Sequence, residues 1–273
     1  MNDLKIKQIK DKILTSFENK ISFISESHEY FKDGEKFTCV SDITHIYKPV
    51  SGEQMAENCV ARWKREMNPS YKYFGMTKEQ ILEMWSIKSK GACDLGTDVH
   101  SFGEAMFYYF TEQMDVLPDD LKGNFLHGKP HTKNKFESAI FDFWKNLPPG
   151  LHPVLCETRV FNESGTKYAG TFDILFCDDN GNLWIFDYKT NEDLYKCYKD
   201  TRLKHPFQEY QDMNISYYML QLGLYQIPLE NIGFTVVNRV IVWLKPDGTY
   251  NLIYLKDVTD ILRKELKIKN KNG

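Results

Sequence analysis

Residues Tyr168–Asn191 read YAGTFDILFCDDNGNLWIFDYKTN. Two apolar runs flank a turn-rich spacer, Asp178-Asp179-Asn180-Gly181-Asn182, a pattern that predicts two strands joined as a hairpin. Both runs carry charge where buried strands should have little: Asp173 lies inside the first, and Asp187 and Lys189 lie near the end of the second. Side chains alternate along a strand, so Ile185, Asp187 and Lys189 share a face, and Asp173 can face the same place from the neighbouring strand. The preceding strand, in LCETRVF, adds Glu157. Three converging carboxylates repel one another and raise one another's pKa values unless a cation offsets them. Mg²⁺ or Mn²⁺ would do so, because hard cations take oxygen ligands, and substrate phosphate oxygens can complete the coordination. Lys189 beside such an ion could stabilise developing negative charge or orient a water. The alternative is structural: Asp187 and Lys189 form a buried ion pair, and Asp173 is a strand-end or turn residue.

The flanking sequence supplies the rest of an α/β domain. Before the hairpin, residues 3–17 have helical spacing, and Asp33-Gly34 marks a second hairpin. Ser41 is expected to cap a short helix that stops near Pro49. Helices are predicted over 53–67, over 77–90 with Thr77 as cap, from about Ala92 to Thr111, and over Phe136–Asn146. Strands follow at 153–162, 168–177 and 182–190, then a long connection containing Pro206, a helix at 212–226, strands at Gly233–Leu244 and in TYNLIYL, and a helix from Val258. There is no internal repeat. The pattern reads as a hairpin and helical elaboration over residues 1–88 and a core over 89–273, in one compact unit.

Composition sets outer limits. The chain has 273 residues, 42% hydrophobic and 14% aromatic, which supports a packed core and argues against disorder. No apolar run is long enough to span a bilayer, and MNDLKIKQIKDKILTSF lacks the apolar block of a signal peptide, so a cytoplasmic protein is expected. The six cysteines form no C-x-x-C pair, which points to buried free thiols and away from a zinc ribbon or iron–sulfur cluster. A net charge of −3 does not announce a nucleic-acid binder. Local basic segments do exist in LHGKPHTKNK, KCYKDTRLKH and the tail LRKELKIKNKNG, although a solvated surface explains each of them equally well.

Gly170-Thr171-Phe172-Asp173 followed by Asp187-Tyr188-Lys189 resembles the PD-(D/E)xK nuclease superfamily. Gly96-Thr97-Asp98-Val99-His100 is similar to the G-T-x-x-H motif of its RecB-like exonuclease branch, and Gln221-Leu222-Gly223-Leu224-Tyr225 to that branch's Q-x-x-x-Y motif. The motifs occur in the branch's order and cover residues about 89–245, and the residues before His100 look like those of phage-encoded members. The resemblance implies a restriction-endonuclease-like core, α-β-β-β-α-β, with a mixed central sheet flanked by helices. It also implies a Mg²⁺/Mn²⁺-dependent DNA nuclease with one or two ions and no iron–sulfur cluster, an exonuclease leaving 5′-phosphates. A structure-specific endonuclease and an inactive nucleic-acid-binding module are the rival readings.

Carried over to this chain, the family roles make Asp173 and Asp187 the core metal ligands, with His100 and the Tyr188 carbonyl as further ligands, and Lys189 the catalytic lysine. Glu157 matches an acid that some members use for a second metal, and Glu104, one helical turn past His100, competes for that role. Gln221 and Tyr225 would steady the DNA strand or the lysine, and Thr97, Arg202 and Lys204 are expected on the DNA side. The implied partner is DNA, as single strands or duplex ends, with a recombination protein or a second copy of the chain as further expectations. The Pro that names the superfamily is replaced here by Phe172, and the cysteine cluster of the iron–sulfur members is absent.

Overall fold

The computed structural model describes residues 3–269. The chain begins with α1 (Asp3–Phe17), β1 (Ser22–Ile24), β2 (Glu29–Lys32), β3 (Glu35–Cys39), α2 (Val40–Ile46), α3 (Gly52–Glu66) and α4 (Lys78–Phe110). Two short 3₁₀ turns and the small pair β4 (Phe125–Leu126) and β5 (Lys129–Pro130) lead into α5 (Lys135–Lys145). Next come β6 (Leu151–Asn162), β7 (Tyr168–Asp178), β8 (Leu183–Lys189), α6 (Asn214–Asn231), β9 (Val236–Leu244), β10 (Tyr250–Tyr254) and α7 (Thr259–Glu265). The expected helix–three strands–helix–strand order is present, in a mixed sheet flanked by helices.

β7 is the spine of the sheet. β6 runs antiparallel to it along nearly its whole length. Its other partners divide it: β3 pairs in parallel with Tyr168 and Ala169, and β8 pairs antiparallel from Ile174 to Cys177. β9 then joins β8 in parallel, and β10 joins β9 antiparallel. Between Ala169 and Ile174, β3 and β8 part company, and Asp173 lies in that fork. The β7–β8 turn is held by Asp178 Oδ1, which accepts from the N–H groups of Asn180 and Asn182 at 2.9 Å each, with Gly181 supplying φ 88°.

The alternation along β8 divides the core in two. Ile185 packs with Phe172, Leu175 and Ile241 beneath α1, α2 and α6. Phe186 and Tyr188 pack with Phe102, Phe143, Phe176 and Val240 beneath α4 and α5.

Several sequence expectations need correction. The segments at 77–90 and 92–111 are one helix, α4, capped by Thr77 as expected. Gly91 lowers helix propensity by about 1 kcal/mol, but Ile81 and Val99 are buried on either side of it and hold the rod at both ends. Ser41 is not a cap, because β3 runs straight into α2 through an extended Cys39 that pairs with Ala169. α6 continues past residue 226 to Asn231, through Pro228. Proline lacks the N–H that the Leu224 carbonyl would accept, and the buried Tyr168 hydroxyl donates to that carbonyl instead, at 2.9 Å. β1 was not foreseen. Of the thiols expected to be buried, Cys39 and Cys177 are, while Cys93 is exposed. The end of the basic tail lies outside the described residues. Among the described residues, no helix is long and apolar enough to cross a membrane.

Candidate metal centre

Strand register brings the acids together. In the β6–β7 ladder, Cys156 faces Ile174 and Thr158 faces Phe172, which sets Glu157 opposite Asp173. In β7–β8 the last rung joins Ile174 to Phe186, which makes Asp187 the next residue opposite Asp173. Three carboxylates from three strands thus form one row across the sheet. Both ladders break at this row. The Tyr188 N–H donates to Asp173 Oδ2 at 2.7 Å, to a side chain rather than to a strand carbonyl. Glu157 has φ 40°, a left-handed backbone that costs a residue with a side chain about 1–3 kcal/mol.

α4 lays His100 over the row. Its Nδ1 is 3.3 Å from Asp173 Oδ1 and 3.8 Å from Glu157 Oε1. One ligand atom from each of His100, Glu157 and Asp173 lies within 4.8 Å of the others, so the three could hold a metal ion. The helix can approach this closely because Gly103 admits the Tyr188 ring; a Cβ there would lie 2.4 Å from Tyr188 Cε2. The Tyr188 hydroxyl in turn accepts from Trp144 Nε1 at 2.9 Å in the buried α4–α5 layer.

Asp187 is 1% exposed, and its Oδ1 has no hydrogen-bond partner among the described residues. The Lys189 ammonium pairs with Oδ2. That ammonium also lies 4.8 Å from the centre of the Tyr218 ring. A buried carboxylate beside two further acids and an imidazole is a donor set suited to a divalent cation.

The electrostatics agree. Burial opposes charge at Asp173, yet His100, Lys189 and the Tyr188 N–H together hold its carboxyl below the ordinary value. Burial, then the Asp173 charge, lifts Asp187 to about 6. Burial also lifts Glu157, against the pull of His100. At His100 burial disfavours the imidazolium, but Asp173 and Glu157 raise it to about 10. The His100 side chain keeps 31% of its surface exposed, so solvent screens part of this attraction. Burial works against the Lys189 ammonium as well, and Asp187 and Asp173 outweigh it and keep the group charged. In the metal-free protein, His100 and Lys189 are therefore the cations that offset the acid row.

Of the two candidates for a further acid, Glu157 joins the group and Glu104 does not. Glu104 shares with Glu157 a cavity of about 460 Å³ that Lys10, Tyr108 and Arg159 also line, where burial, then Glu157 and Asp120, lift Glu104 to about 7. Gln221 Nε2 donates to the Tyr225 hydroxyl at 3.0 Å. The Tyr225 ring packs against Gly170, where a Cβ would lie 2.6 Å from Tyr225 Cε1, so two sequence motifs meet in one contact. Phe172, in the place of the missing Pro, is fully buried in the core. Thr97 is exposed on α4, its hydroxyl donating to the Cys93 carbonyl at 3.1 Å. Arg202 and Lys204 are exposed on the connection between β8 and α6.

Sequence reasoning missed Tyr218, Trp144 and Gly103. Tyr218 had a readable signal, since it precedes Gln221 by three residues and so lies on the face shared with Tyr225. Trp144 and Gly103 act through Tyr188, a tertiary relationship with no local signature.

No protein-family model matches the chain, and no curated protein matches it. Among solved structures it is similar to a protein from Eubacterium rectale whose designation as an exonuclease is itself provisional, at 17% identity and a TM-score of 0.37, covering 61% of each chain. That match spans less than two thirds of the Eubacterium rectale protein. The protein SSO0001 is similar at 12% identity and a TM-score of 0.27, covering 64% of this chain and 75% of that one. Likenesses this slight carry no argument about activity, and the site rests on its own geometry.

Proposed function

We propose that the protein is a Mg²⁺- or Mn²⁺-dependent deoxyribonuclease, an exonuclease that leaves 5′-phosphates. The observation that carries this reading is the cross-strand row Glu157–Asp173–Asp187, with His100 above it and Lys189 beside it. Asp173, Asp187 and His100, with the Tyr188 carbonyl, would hold one ion, and Glu157 would help hold a second. A divalent cation bound there would polarise the phosphodiester and lower the pKa of a nucleophilic water. Lys189, paired with Asp187, would stabilise negative charge building on the scissile phosphate. The Tyr218 ring restricts where that ammonium points. The Gln221–Tyr225 pair buttresses the fork from α6. A DNA strand, with any recombination partner or second copy of the chain, is the expected company of such an enzyme.

Linear and circular DNA incubated side by side with Mg²⁺, Mn²⁺ or Ca²⁺ test the proposal, with Asp187→Ala as control. Degradation of the linear form alone is expected with Mg²⁺ or Mn²⁺, and none with Ca²⁺ or Asp187→Ala. Full cleavage in excess EDTA would overturn the metal assignment, and nicking of circles would replace exonuclease with endonuclease.

A further inference from the structure

A second cleft, of about 510 Å³, lies between the connection 191–213 and β10, with Tyr195, Arg202, Tyr210, Tyr254 and Lys256 among its lining residues. Two of its tyrosines are unusually wet: Tyr195 is 50% exposed and Tyr254 56%. The Tyr254 ring packs edge-on against Trp184 at 6.3 Å and still keeps this exposure. A relay of side-chain contacts links the cleft to the metal centre. The Tyr195 ring is 6.1 Å from that of Trp243. Trp243 Nε1 donates to the Asn191 carbonyl at 2.8 Å, and the Asn191 side-chain oxygen accepts from the Tyr218 hydroxyl at 2.6 Å. Tyr218 carries the Lys189 ammonium on its face.

The platform is built before any ligand arrives. The Tyr195 N–H donates to Asp193 Oδ1 at 2.8 Å, and the Leu194 and Asp193 carbonyls accept from the Ile215 N–H and the Asn214 side chain at 3.1 Å each. Cations border the rings. Lys256 Nζ is 5.9 Å from the Tyr210 ring, and Lys245 lies over Trp243. Glu209 also lines the cleft, its backbone carbonyl accepting from Arg202 at 3.0 Å, and the Arg202 guanidinium lies 3.8 Å from Asp200.

We propose that this cleft is a stacking track for single-stranded nucleic acid, feeding the strand to Lys189 and the acid row; the proposal rests on the nuclease reading above. Aromatic faces stack on bases of any sequence and cations follow the phosphates. A duplex keeps its base faces covered, so only an unpaired strand can use exposed tyrosines. The proposal thereby narrows the substrate at this cleft to unpaired strands.

The test is binding in EDTA, which separates the track from catalysis. Fluorescence anisotropy would follow the full chain binding labelled oligo-dT of graded length and a hairpin duplex. The Tyr195→Ala/Tyr254→Ala variant should bind long oligo-dT about tenfold more weakly or worse, with duplex affinity unchanged. Tyr195→Trp/Tyr254→Trp should retain wild-type affinity, which a folding defect would not allow. Lys256→Ala should flatten the salt dependence of oligo-dT binding. Equal oligo-dT affinity for wild type and the double alanine variant overturns the track, as does an equal loss for duplex and single strand. A wild-type protein that binds oligo-dT through these tyrosines but cleaves no DNA with Mn²⁺ retains the track and refutes the nuclease reading.

Discussion

The Tyr188 backbone N–H and the Asp173 carboxylate are joined at 2.7 Å just beyond the last β7–β8 rung. Asp173 therefore does two jobs, closing the strand fork and supplying negative charge to the site, and substitutions can separate them. Asp173→Asn keeps an acceptor for the N–H, whereas Asp173→Ala leaves it buried and unpaired. Both should abolish cleavage and both should fold, with the alanine variant less stable than the asparagine variant by about 1–3 kcal/mol in denaturant titration. Equal stabilities would mean that the fork is closed by packing alone.

The proton on His100 competes with metal. With the imidazole raised to about 10 in the metal-free protein, it carries a proton at neutral pH that a coordinated metal must displace. Apparent Mn²⁺ affinity should rise with pH between about 6 and 9. Calorimetric titrations in buffers of different ionisation enthalpy should show proton release on binding. His100→Ala should lose most of that release and bind Mn²⁺ more weakly, whereas an unchanged release would remove His100 from the ligand set.

Asp187 gives the metal-free protein a pH dependence of definite sign. Its carboxyl rises from 3.8 unfolded to about 6 folded, so the native state holds that proton more tightly. The associated stability is complete below about pH 3.8 and is lost as pH climbs through about 6. Thermal melts in EDTA should therefore show Asp187→Asn gaining on wild type between pH 4 and pH 7. Added Mn²⁺ should raise the wild-type Tm and leave that of Asp187→Asn nearly unmoved.

The two motif glycines should behave oppositely. A Cβ at Gly170 meets Tyr225 Cε1 at 2.6 Å and Val40 Cγ2 at 3.0 Å, while one at Gly96 meets nothing within 4 Å. Gly170→Ala should destabilise by about 1–3 kcal/mol, and Gly96→Ala, on an open helix, should stabilise by about 0.5–1 kcal/mol. Chemical denaturation of the two variants decides the matter.

Tyr168→Phe removes the donor that stands in for the missing Pro228 N–H. The Leu224 carbonyl would then be buried without a partner, at a cost of about 1–3 kcal/mol. Replacing Pro228 by Ala in the same background should recover much of that loss, since the helix can then satisfy its own carbonyl. Failure of the rescue would assign the effect to packing.

Much of this architecture was legible in the chain because local signals agreed with tertiary ones. The Asp178–Asn182 spacer, the period-two acids and the Thr77 capping box each specify their own geometry, and the hairpin and the start of α4 follow from them. The residues that failed to read did so for physical reasons. Burial at both ends of α4 overrides the break expected between residues 90 and 92, and α6 runs past its expected end at 226 because a distant tyrosine satisfies the carbonyl that Pro228 leaves without a donor. Register supplied what alternation could not: period two gives the face of Asp187, but only the rung Ile174–Phe186 gives its partner. Glu157's left-handed backbone and the seating of Tyr188 against Gly103 involve residues far apart in sequence, and no local pattern encodes them.

The transverse row of acids has a consequence for how the chain reaches its native state. Sliding β8 by one residue along β7 would turn Phe186 and Tyr188 to the face now held by Asp187 and Lys189, and a similar slip of β6 would carry Glu157 out of the row. Misaligned conformers would have no place for an ion and would gain nothing from its presence, whereas the correctly threaded chain would be favoured in proportion to ion concentration. The proposed catalytic ion would in this way also proofread folding, rewarding the one strand alignment from which chemistry is possible.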